Sequence, residues 1–211
     1  MTDLIERLSS HLLPIETLAR DHTSGGGFSL REDANPSPAT TSTDAAVMVA
    51  VLASDEPEVL FTVRSAQMPH HAGQVALPGG RHHAGEAFPM ATALREAQEE
   101  VGLVPNSVRV LGGMGAIDTL TGFRVTPVVG WVDATTDLRA CDREVQAIFT
   151  LPLAHVLDHA NYSAHRVRFN AGGARQSYLV WSLRGKQWPI WGATALVLAR
   201  LSGINVDAPR K

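Results

Sequence analysis

Apolar residues recur at helical or strand intervals along much of the chain. Residues 3–20 carry leucine and isoleucine at roughly helical spacing, which Pro14 interrupts because proline lacks the backbone N–H that a helix interior needs. Two apolar, β-branched runs follow, Ala45 to Leu52 and Val59 to Val63, separated by the polar segment 54–58. The pattern predicts a broken N-terminal helix and then a strand hairpin.

Beyond the hairpin, short apolar runs alternate with helical patterns. They predict strands near 75–77, 107–117, 124–132 and 166–182, and helices at 89–101, 151–159 and 189–202. Periodicity alone predicts only a mixture of α and β structure.

Glycine, proline, serine and threonine concentrate between the first helix and the hairpin, in residues 21–44. Such a composition is typical of a loop or linker. We therefore predict three regions: an N-terminal helix with a flexible linker (1–44), one main domain (45–202) and a C-terminal tail (203–211).

Composition narrows the class of protein mainly by exclusion. With 211 residues, 45% of them hydrophobic, the chain can form a sizeable core. Its net charge of −3 offers no basic field for a nucleic-acid backbone, so we predict no nucleic-acid partner.

The single cysteine, Cys141, excludes an intrachain disulfide framework and favours a reducing compartment. Because the chain shows no signal-peptide pattern and no apolar stretch of about 18 residues, we expect a cytoplasmic protein with no membrane partner.

Three carboxylates share one face of the predicted helix 89–101. Glu96, Glu99 and Glu100 stand at positions i, i+3 and i+4. Like charges at this spacing weaken a helix by roughly 0.2–0.5 kcal/mol per pair, so the cluster needs compensation. A divalent cation such as Mg²⁺ or Mn²⁺ would supply it and would also bind the phosphates of a substrate. A solvated acidic helix face is the alternative.

The residues around this cluster resemble a known signature. Gly80 is followed by five residues, Glu86, eight residues and then Arg95-Glu96-Ala-Gln-Glu99-Glu100-Val-Gly-Leu103. This order closely resembles the Nudix box, the signature of hydrolases that cleave a nucleoside diphosphate linked to another group. The general box has seven residues between its first Glu and the Arg, and the branch that hydrolyses coenzyme A and its derivatives commonly has the extra residue seen here.

A second element upstream resembles the coenzyme A pyrophosphatase signature. It consists of Leu60-Phe-Thr-Val-Arg64-Ser65, His71-Ala-Gly-Gln-Val75 and Leu77-Pro-Gly-Gly80. The signature has Arg where this chain has Pro69, and Phe where it has Leu77, and loss of the Arg removes a cation that could grip phosphate. Segments 121–130, 144–153 and 190–195 also resemble this subfamily, so the likeness covers about residues 45–200.

The resemblance implies an α/β (α+β) fold, namely the Nudix-type α/β/α sandwich with a mixed sheet, here with an extra N-terminal helix. It implies that Glu96, Glu99 and Glu100 bind Mg²⁺ or Mn²⁺. Glu96 is the candidate general base, although in some members of the family the base lies on a distant loop. Arg95 would orient these carboxylates, and Glu86 would also orient them or cap the helix. Glu144 is the best downstream catalytic acid, with a solvated loop carboxylate as the alternative.

Candidate substrate-binding residues lie mostly ahead of the helix. Gly79 and Gly80 suit a tight backbone turn near phosphate oxygens, although Pro-Gly-Gly is also a generic turn. Arg64 could bind a phosphate group or form an exposed salt bridge, and Arg81 completes the candidate set.

Histidine and tryptophan residues near these segments have less specific interpretations. The pairs His70-His71 and His82-His83 flank the predicted site, but adjacent strand residues point to opposite faces, which favours phosphate contact or plain surface over zinc. Trp181, Trp188 and Trp191 could stack on a base, yet aromatics in such apolar surroundings are more often core.

By resemblance, the protein is a metal-dependent diphosphatase that converts coenzyme A or an acyl derivative to (acyl-)4′-phosphopantetheine and adenosine 3′,5′-bisphosphate. The departures at Pro69 and Leu77 keep ADP-ribose or a dinucleotide open as the substrate. A catalytically silent nucleotide sensor is the alternative from another class, although such a sensor would be expected to lose box carboxylates that this chain retains. The expected partner is a small-molecule nucleotide, and the chain could form a homodimer by family analogy.

Overall fold

The protein is described from a computed structural model that covers residues 2–21, 28–29, 42–68, 71–119, 121–133, 137–171 and 174–206. Within these residues the α-helices are α1 (Thr2–Ser9), α2 (Ile15–Asp21), α3 (Met90–Val101), α4 (Leu153–Leu157) and α5 (Ala193–Leu201). The strands are β1 (Phe28–Ser29), β2 (Thr43–Leu52), β3 (Glu58–Arg64), β4 (Val75–Ala76), β5 (Gly79–Arg81), β6 (Val108–Gly113), β7 (Ile117–Asp118), β8 (Phe123–Val132), β9 (Val145–Pro152), β10 (Tyr162–Ala171), β11 (Ala174–Leu183) and β12 (Ile190–Trp191).

A mixed sheet forms the middle layer of the fold. Its central strand β2 runs parallel to β8 and antiparallel to both β3 and β5. Strand β9 pairs with β3, and β6 and β7 pair with β8, all antiparallel. A second, smaller sheet consists of β10, β11 and β12.

The period-two alternation of β2 sends its side chains to two different cores. Ala46, Met48 and Ala50 pack in one cluster with residues of α3, whereas Val49 and Val51 pack in another with residues of α5. Helices therefore cover both faces of the sheet. The α/β/α sandwich with a mixed sheet is confirmed.

The expectations for the start of the chain are also met by the structure. Helix α1 ends at Ser9 and α2 begins at Ile15, so the helical pattern is broken around Pro14 as predicted. Strands β2 and β3 form the expected hairpin, with Val51 opposite Val59. Most of the predicted linker, residues 22–27 and 30–41, lies outside the described residues.

Several predicted element boundaries were wrong. The helix expected at 151–159 is the end of strand β9 followed by the short α4, because residues 145–152 pair with β3 along its length. The strand expected at 107–117 divides into β6 and β7, and that at 166–182 into β10 and β11. The helix expected at 189–202 begins only at Ala193, after β12. No helix among the described residues has the length and apolarity to span a membrane.

Candidate active site

Helix α3 carries the predicted carboxylates along the surface of the sheet. Its small side chains Ala93 and Ala97, with Val101, are fully buried against β2 and its neighbours. The helix ends at Gly102, whose φ of +70° suits a residue without a side chain. This packing leaves Glu96, Glu99 and Glu100 along the flank of the helix.

The Gly79-Gly80 segment is a strand, which corrects the predicted tight turn. Gly79 and Gly80 pair with Val47 and Ala46 of β2, and neither has a positive φ. Their requirement for glycine is steric, because a Cβ on Gly79 would overlap the Ala46 carbonyl oxygen and Val47. A Cβ on Gly80 would overlap the Glu96 carboxylate. Strand β5 thus brings its main chain directly against the acidic helix.

Arg95 joins the acidic groups of the site. Its Nη1 donates to Glu96 Oε1 at 2.8 Å and to Glu99 Oε2 at 2.9 Å, while Nη2 donates to the Arg81 carbonyl oxygen at 2.9 Å. Its Nε donates to Glu86 Oε1. These contacts place Arg95 among the acidic groups, and its supporting role stays a prediction.

Glu86 is fixed on both of its oxygens. Besides the bond from Arg95, its Oε2 accepts hydrogen bonds from Thr92 Oγ1 at 2.7 Å and from the His83 backbone N–H at 3.1 Å. The Arg95 guanidinium, with smaller contributions from these donors, lowers the pKa of Glu86 to about 2. Glu86 is therefore an ionised anchor for Arg95 at neutral pH.

Glu100 is the most deeply placed of the three helix carboxylates. It is 4% exposed, and burial raises its pKa to about 8, although Arg64 opposes this shift. Arg64 Nη1 lies 3.9 Å from Glu100 Oε1. Two buried atoms here, Glu100 Oε2 and Arg64 Nε, have no hydrogen-bond partner among the residues that the structure describes.

The structure brings Glu144 to the same site from a distant part of the sequence. Its carbonyl oxygen accepts a hydrogen bond from the Ser65 backbone N–H at 2.8 Å, which places it beside the end of β3 that carries Arg64. Its negative charge contributes to the raised pKa of both Glu96 and Glu100, although burial is the largest cause in each case. Its side chain is exposed.

Arg81 lies in the site through its main chain alone. Its carbonyl oxygen accepts the hydrogen bond from Arg95, but its guanidinium sits 5.2 Å from the centre of the Phe123 ring. The candidate residues thus converge on α3, with the Arg81 side chain as the exception.

The donor set suits a hard divalent cation. Carboxylate oxygens are the ligands that Mg²⁺ and Mn²⁺ prefer, and within the described part of the chain Glu100 Oε2 is a buried acceptor without a hydrogen-bond partner. Among the described residues, no three His, Cys, Asp or Glu side chains already surround one point, because Glu96 and Glu99 both turn towards Arg95.

The histidines and tryptophans have mainly structural contacts. His82 Nδ1 lies 3.3 Å from Thr92 Oγ1, and His71 Nδ1 lies 2.9 Å from Gln74 Oε1. Trp181 is 1% exposed and belongs to the core. Trp188 packs on Phe149, whereas Trp191 is 48% exposed. His70 and Pro69 lie outside the described residues.

Sequence reasoning missed the part that Thr92 plays beside Glu86. The only signal was its spacing, since Thr92 precedes Arg95 by three residues and so shares a helix face with it. A threonine with 0% exposure also needs a partner for its hydroxyl group, although its burial is known only from the structure.

The fold and the site define a class of α/β/α proteins that gather carboxylates on one helix beside a glycine strand. A model of the NUDIX domain matches residues 42–169 of the chain. An uncharacterized Nudix hydrolase, NudL of Salmonella paratyphi B, is 40% identical over 158 residues, or 75% of this chain and 80% of that protein. The chain therefore belongs to the Nudix hydrolase family and is a pyrophosphohydrolase. Nudix hydrolases generally use divalent metal ions.

Solved structures show similarity over part of the chain. An Ap4A hydrolase of C. elegans in a binary complex has 19% identity and a TM-score of 0.45 over 52% of this chain and 80% of its own. The NUDIX domain of Shewanella oneidensis NrtR, solved with ADP ribose, has 22% identity and a TM-score of 0.43 over 59% of this chain and 82% of its own.

Proposed function

We propose that this Nudix hydrolase cleaves the diphosphate of coenzyme A or an acyl-coenzyme A. The products would be (acyl-)4′-phosphopantetheine and adenosine 3′,5′-bisphosphate. One observation carries the proposal: both halves of the coenzyme A pyrophosphatase-like signature reach the acidic helix. Arg64 from the first half lies against Glu100, and Gly80 from the second half lies against Glu96.

The chemistry required is the attack of water on a highly charged diphosphate. We infer that Glu96, Glu99 and Glu100 hold Mg²⁺ or Mn²⁺, which when bound neutralises phosphate oxygens and lowers the pKa of water. Glu96 would accept a proton from the attacking water. The water oxygen would bond to phosphorus while the P–O bond to the bridging oxygen breaks and the second phosphate group leaves with that oxygen. Burial raises the pKa of Glu96, which favours this role because a better base holds a proton more strongly.

The remaining candidates would act around this reaction. Arg64 has a buried Nε that makes no hydrogen bond within the described structure, so it could donate to a substrate phosphate. Gly79 and Gly80 would serve the site by letting β5 pack closely, against β2 at Gly79 and against the Glu96 carboxylate at Gly80. Glu144 adds a negative charge near Glu96 and Glu100, which supports a role as an additional acidic group.

Product analysis tests the proposal directly. The protein would be incubated with coenzyme A, ADP-ribose and a dinucleotide, each with Mg²⁺ or Mn²⁺, and the products separated by chromatography. We expect adenosine 3′,5′-bisphosphate from coenzyme A, and its loss in Glu99→Gln. Cleavage of ADP-ribose or the dinucleotide instead would contradict the coenzyme A proposal while leaving the Nudix activity in place. Binding of these nucleotides without turnover of any would favour the sensor alternative.

A matched pair of arginine variants tests the role of Arg64. Arg64→Ala should raise KM for coenzyme A by about 10-fold or more, since a charge-assisted hydrogen bond is worth roughly 1.5–3 kcal/mol. Arg139→Ala is the control, because the Arg139 side chain is 81% exposed and pairs with Asp137. Equal KM values in the two variants would contradict a phosphate contact by Arg64.

A further inference from the structure

Thr92 contacts two groups that also lie near each other, since His82 Nδ1 is 3.7 Å from Glu86 Oε2. Thr92 is 0% exposed, and its Oγ1 lies 2.7 Å from Glu86 Oε2 and 3.3 Å from His82 Nδ1. The His82 ring is itself held edge-on against Phe88, with 5.1 Å between ring centres. A buried threonine has low helix propensity, so its place in α3 calls for a reason in its hydroxyl group.

The direction of these hydrogen bonds follows from counting hydrogens. An ionised carboxylate only accepts hydrogen bonds, so the single hydroxyl hydrogen of Thr92 must point to Glu86. The Thr92 oxygen is then left as an acceptor, and the partner that faces it, His82 Nδ1, must carry a hydrogen. The contacts thereby select the tautomer or charge state of His82 in which Nδ1 is protonated.

The hydrogen bonds continue from Glu86 to the acidic helix. Glu86 accepts from Arg95 Nε, and the other end of the Arg95 guanidinium donates to Glu96 and Glu99. From these contacts we propose that Thr92 and His82 are positioning residues: they orient Glu86, which anchors Arg95, which in turn sets Glu96 and Glu99 for metal binding. The inference rests on the proposed metal-binding role of these carboxylates and does not depend on which substrate is cleaved.

Glu86 matters as an anchor because Arg95 can pair either with Glu86 or more fully with Glu96 and Glu99. A guanidinium released from Glu86 would be free to follow Glu96 and Glu99 and to neutralise them in place of a cation. Without the Thr92 hydroxyl, Glu86 Oε2 would keep the hydrogen bond from the His83 N–H, with His82 Nδ1 3.7 Å away and beyond hydrogen-bond distance. Loss of such an outer partner typically lowers metal affinity or activity by about 10–100-fold.

Three threonine variants separate positioning from general stability. Thr92→Val removes the hydroxyl group and keeps the shape, and Thr92→Ser restores the hydroxyl group. Thr194→Val is the control, because Thr194 Oγ1 donates to the Val75 carbonyl oxygen at 3.2 Å from α5, on the opposite face of the sheet. Each of the three variants removes or keeps one partly buried hydrogen bond of a threonine hydroxyl group.

Two measurements on the full chain without substrate provide the readout. The first is Mn²⁺ affinity from the free Mn²⁺ electron paramagnetic resonance signal, and the second is the Arg95 Nε–H signal in a ¹H–¹⁵N spectrum. We expect Thr92→Val to weaken Mn²⁺ binding by about 10-fold and to shift or broaden the Arg95 signal. Thr92→Ser should stay within about twofold of wild type, and Thr194→Val should change neither readout.

The opposite result would overturn the inference even if the protein is destabilised. If Thr92→Val keeps wild-type Mn²⁺ affinity and an unchanged Arg95 signal, Thr92 is merely structural. If wild type binds no Mn²⁺, the proposed metal site fails, while the Arg95 signal still decides whether Thr92 positions Arg95.

His82 offers a second pair should Thr92→Val fold poorly. His82→Asn can keep a donor near the Nδ1 position, whereas His82→Phe keeps a ring against Phe88 but removes the donor. We expect the Arg95 signal to move in His82→Phe and not in His82→Asn. An unmoved signal in both variants would remove His82 from the network.

Discussion

Gly80 shows how strongly a single missing side chain can shape the site. The carboxylate of Glu96 occupies the space where a Cβ on Gly80 would lie. The backbone of Gly80 is otherwise ordinary strand, since its φ is not positive. The glycine is therefore needed for the position of the Glu96 carboxylate and not for a turn.

Gly80→Ala should damage activity more than folding. The new methyl group must push the Glu96 carboxylate aside, so we expect kcat to fall by about 10-fold or more, as for loss of other groups that orient a metal ligand. Gly115→Ala is the control, because its Cβ would meet only the end of the flexible Arg200 side chain at 3.4 Å. Steady-state kinetics with saturating Mg²⁺ would check this, and unchanged kcat in Gly80→Ala would contradict the close approach.

Glu100 links the acidic site to the pH dependence of stability. Without metal, the folded protein holds the Glu100 proton up to about pH 8, whereas the unfolded chain releases it near the ordinary value of 4.5. Because the folded-state pKa is the higher one, the stability that protonated Glu100 contributes is complete below pH 4.5 and is lost as pH rises through 8. Stability thus favours protonated Glu100, whereas metal binding would need the ionised carboxylate.

Glu100→Gln should remove this loss, because glutamine has no proton to release. In the presence of a chelator, we expect the Tm of Glu100→Gln relative to wild type to rise by about 4 °C or more between pH 5 and pH 8. Glu99→Gln is the control, since the Glu99 side chain is 59% exposed. Thermal unfolding across this pH range is the measurement, and parallel curves for wild type and Glu100→Gln would refute the assignment.

At the scale of elements, the small residues of α3 decide how closely the carboxylates approach the sheet. Ala93 and Ala97 are fully buried against the face that β2 shares with Leu60 and Val128. Their short side chains let the helix axis lie close to the strands. The pattern of apolar residues predicted this helix within one residue, because its period of 3.6 is unbroken from Met90 to Val101.

Ala97→Leu should lift α3 from the sheet. Overpacking a filled core costs typically 1–3 kcal/mol, so we expect the free energy of unfolding in urea to fall by about that amount. Mn²⁺ affinity should fall as well, because Glu96 and Glu100 flank the displaced position. Gln98→Leu, at the exposed next residue, should stay within about 0.5 kcal/mol of wild type. Equal free energies of unfolding for Ala97→Leu and wild type would contradict tight packing between α3 and the sheet.

Strand β9 shows where pattern reading fails at this scale. Its sequence and that of the following α4 are mainly apolar, a composition that suits a helix as well as a strand. Pairing with β3 decides between them, from Val145 opposite Arg64 to Pro152 opposite Glu58. The partner strand lies about ninety residues away in sequence, so no local window contains it.

At the scale of the whole molecule, the N-terminal helices belong to the packed body. Leu8 of α1 and Leu18 of α2 are each 3% exposed. Leu8 lies in the same cluster as the side chains of α5, and the main chain of Leu13 pairs with Gly113. A boundary at residue 45 stays a prediction, and these contacts argue that residues 2–21 contribute to stability.

Leu8→Ala measures that contribution. Truncation of a buried leucine leaves a cavity and costs about 2–5 kcal/mol, so we expect a clear drop in the free energy of unfolding. Leu13→Ala is the matched control, because the Leu13 side chain is 41% exposed. Urea unfolding of both variants is the measurement, and equal stabilities would show that α1 is an appendage of the domain.

The sequence by itself determined the acidic helix, the hairpin, the broken N-terminal helix and the family, because each depends on residues close together along the chain. It also placed Glu96, Glu99 and Glu100 on one flank, since helical geometry is local. Only the tertiary structure decided that Gly79 and Gly80 form a strand and that Arg64 lies near Glu100. It alone brought the charge of Glu144 close enough to act on Glu100. It also placed Thr92 beside His82 and Glu86 as a hydrogen-bond partner of both. Those relations depend on pairing and burial between distant segments, which no local spacing of residues specifies.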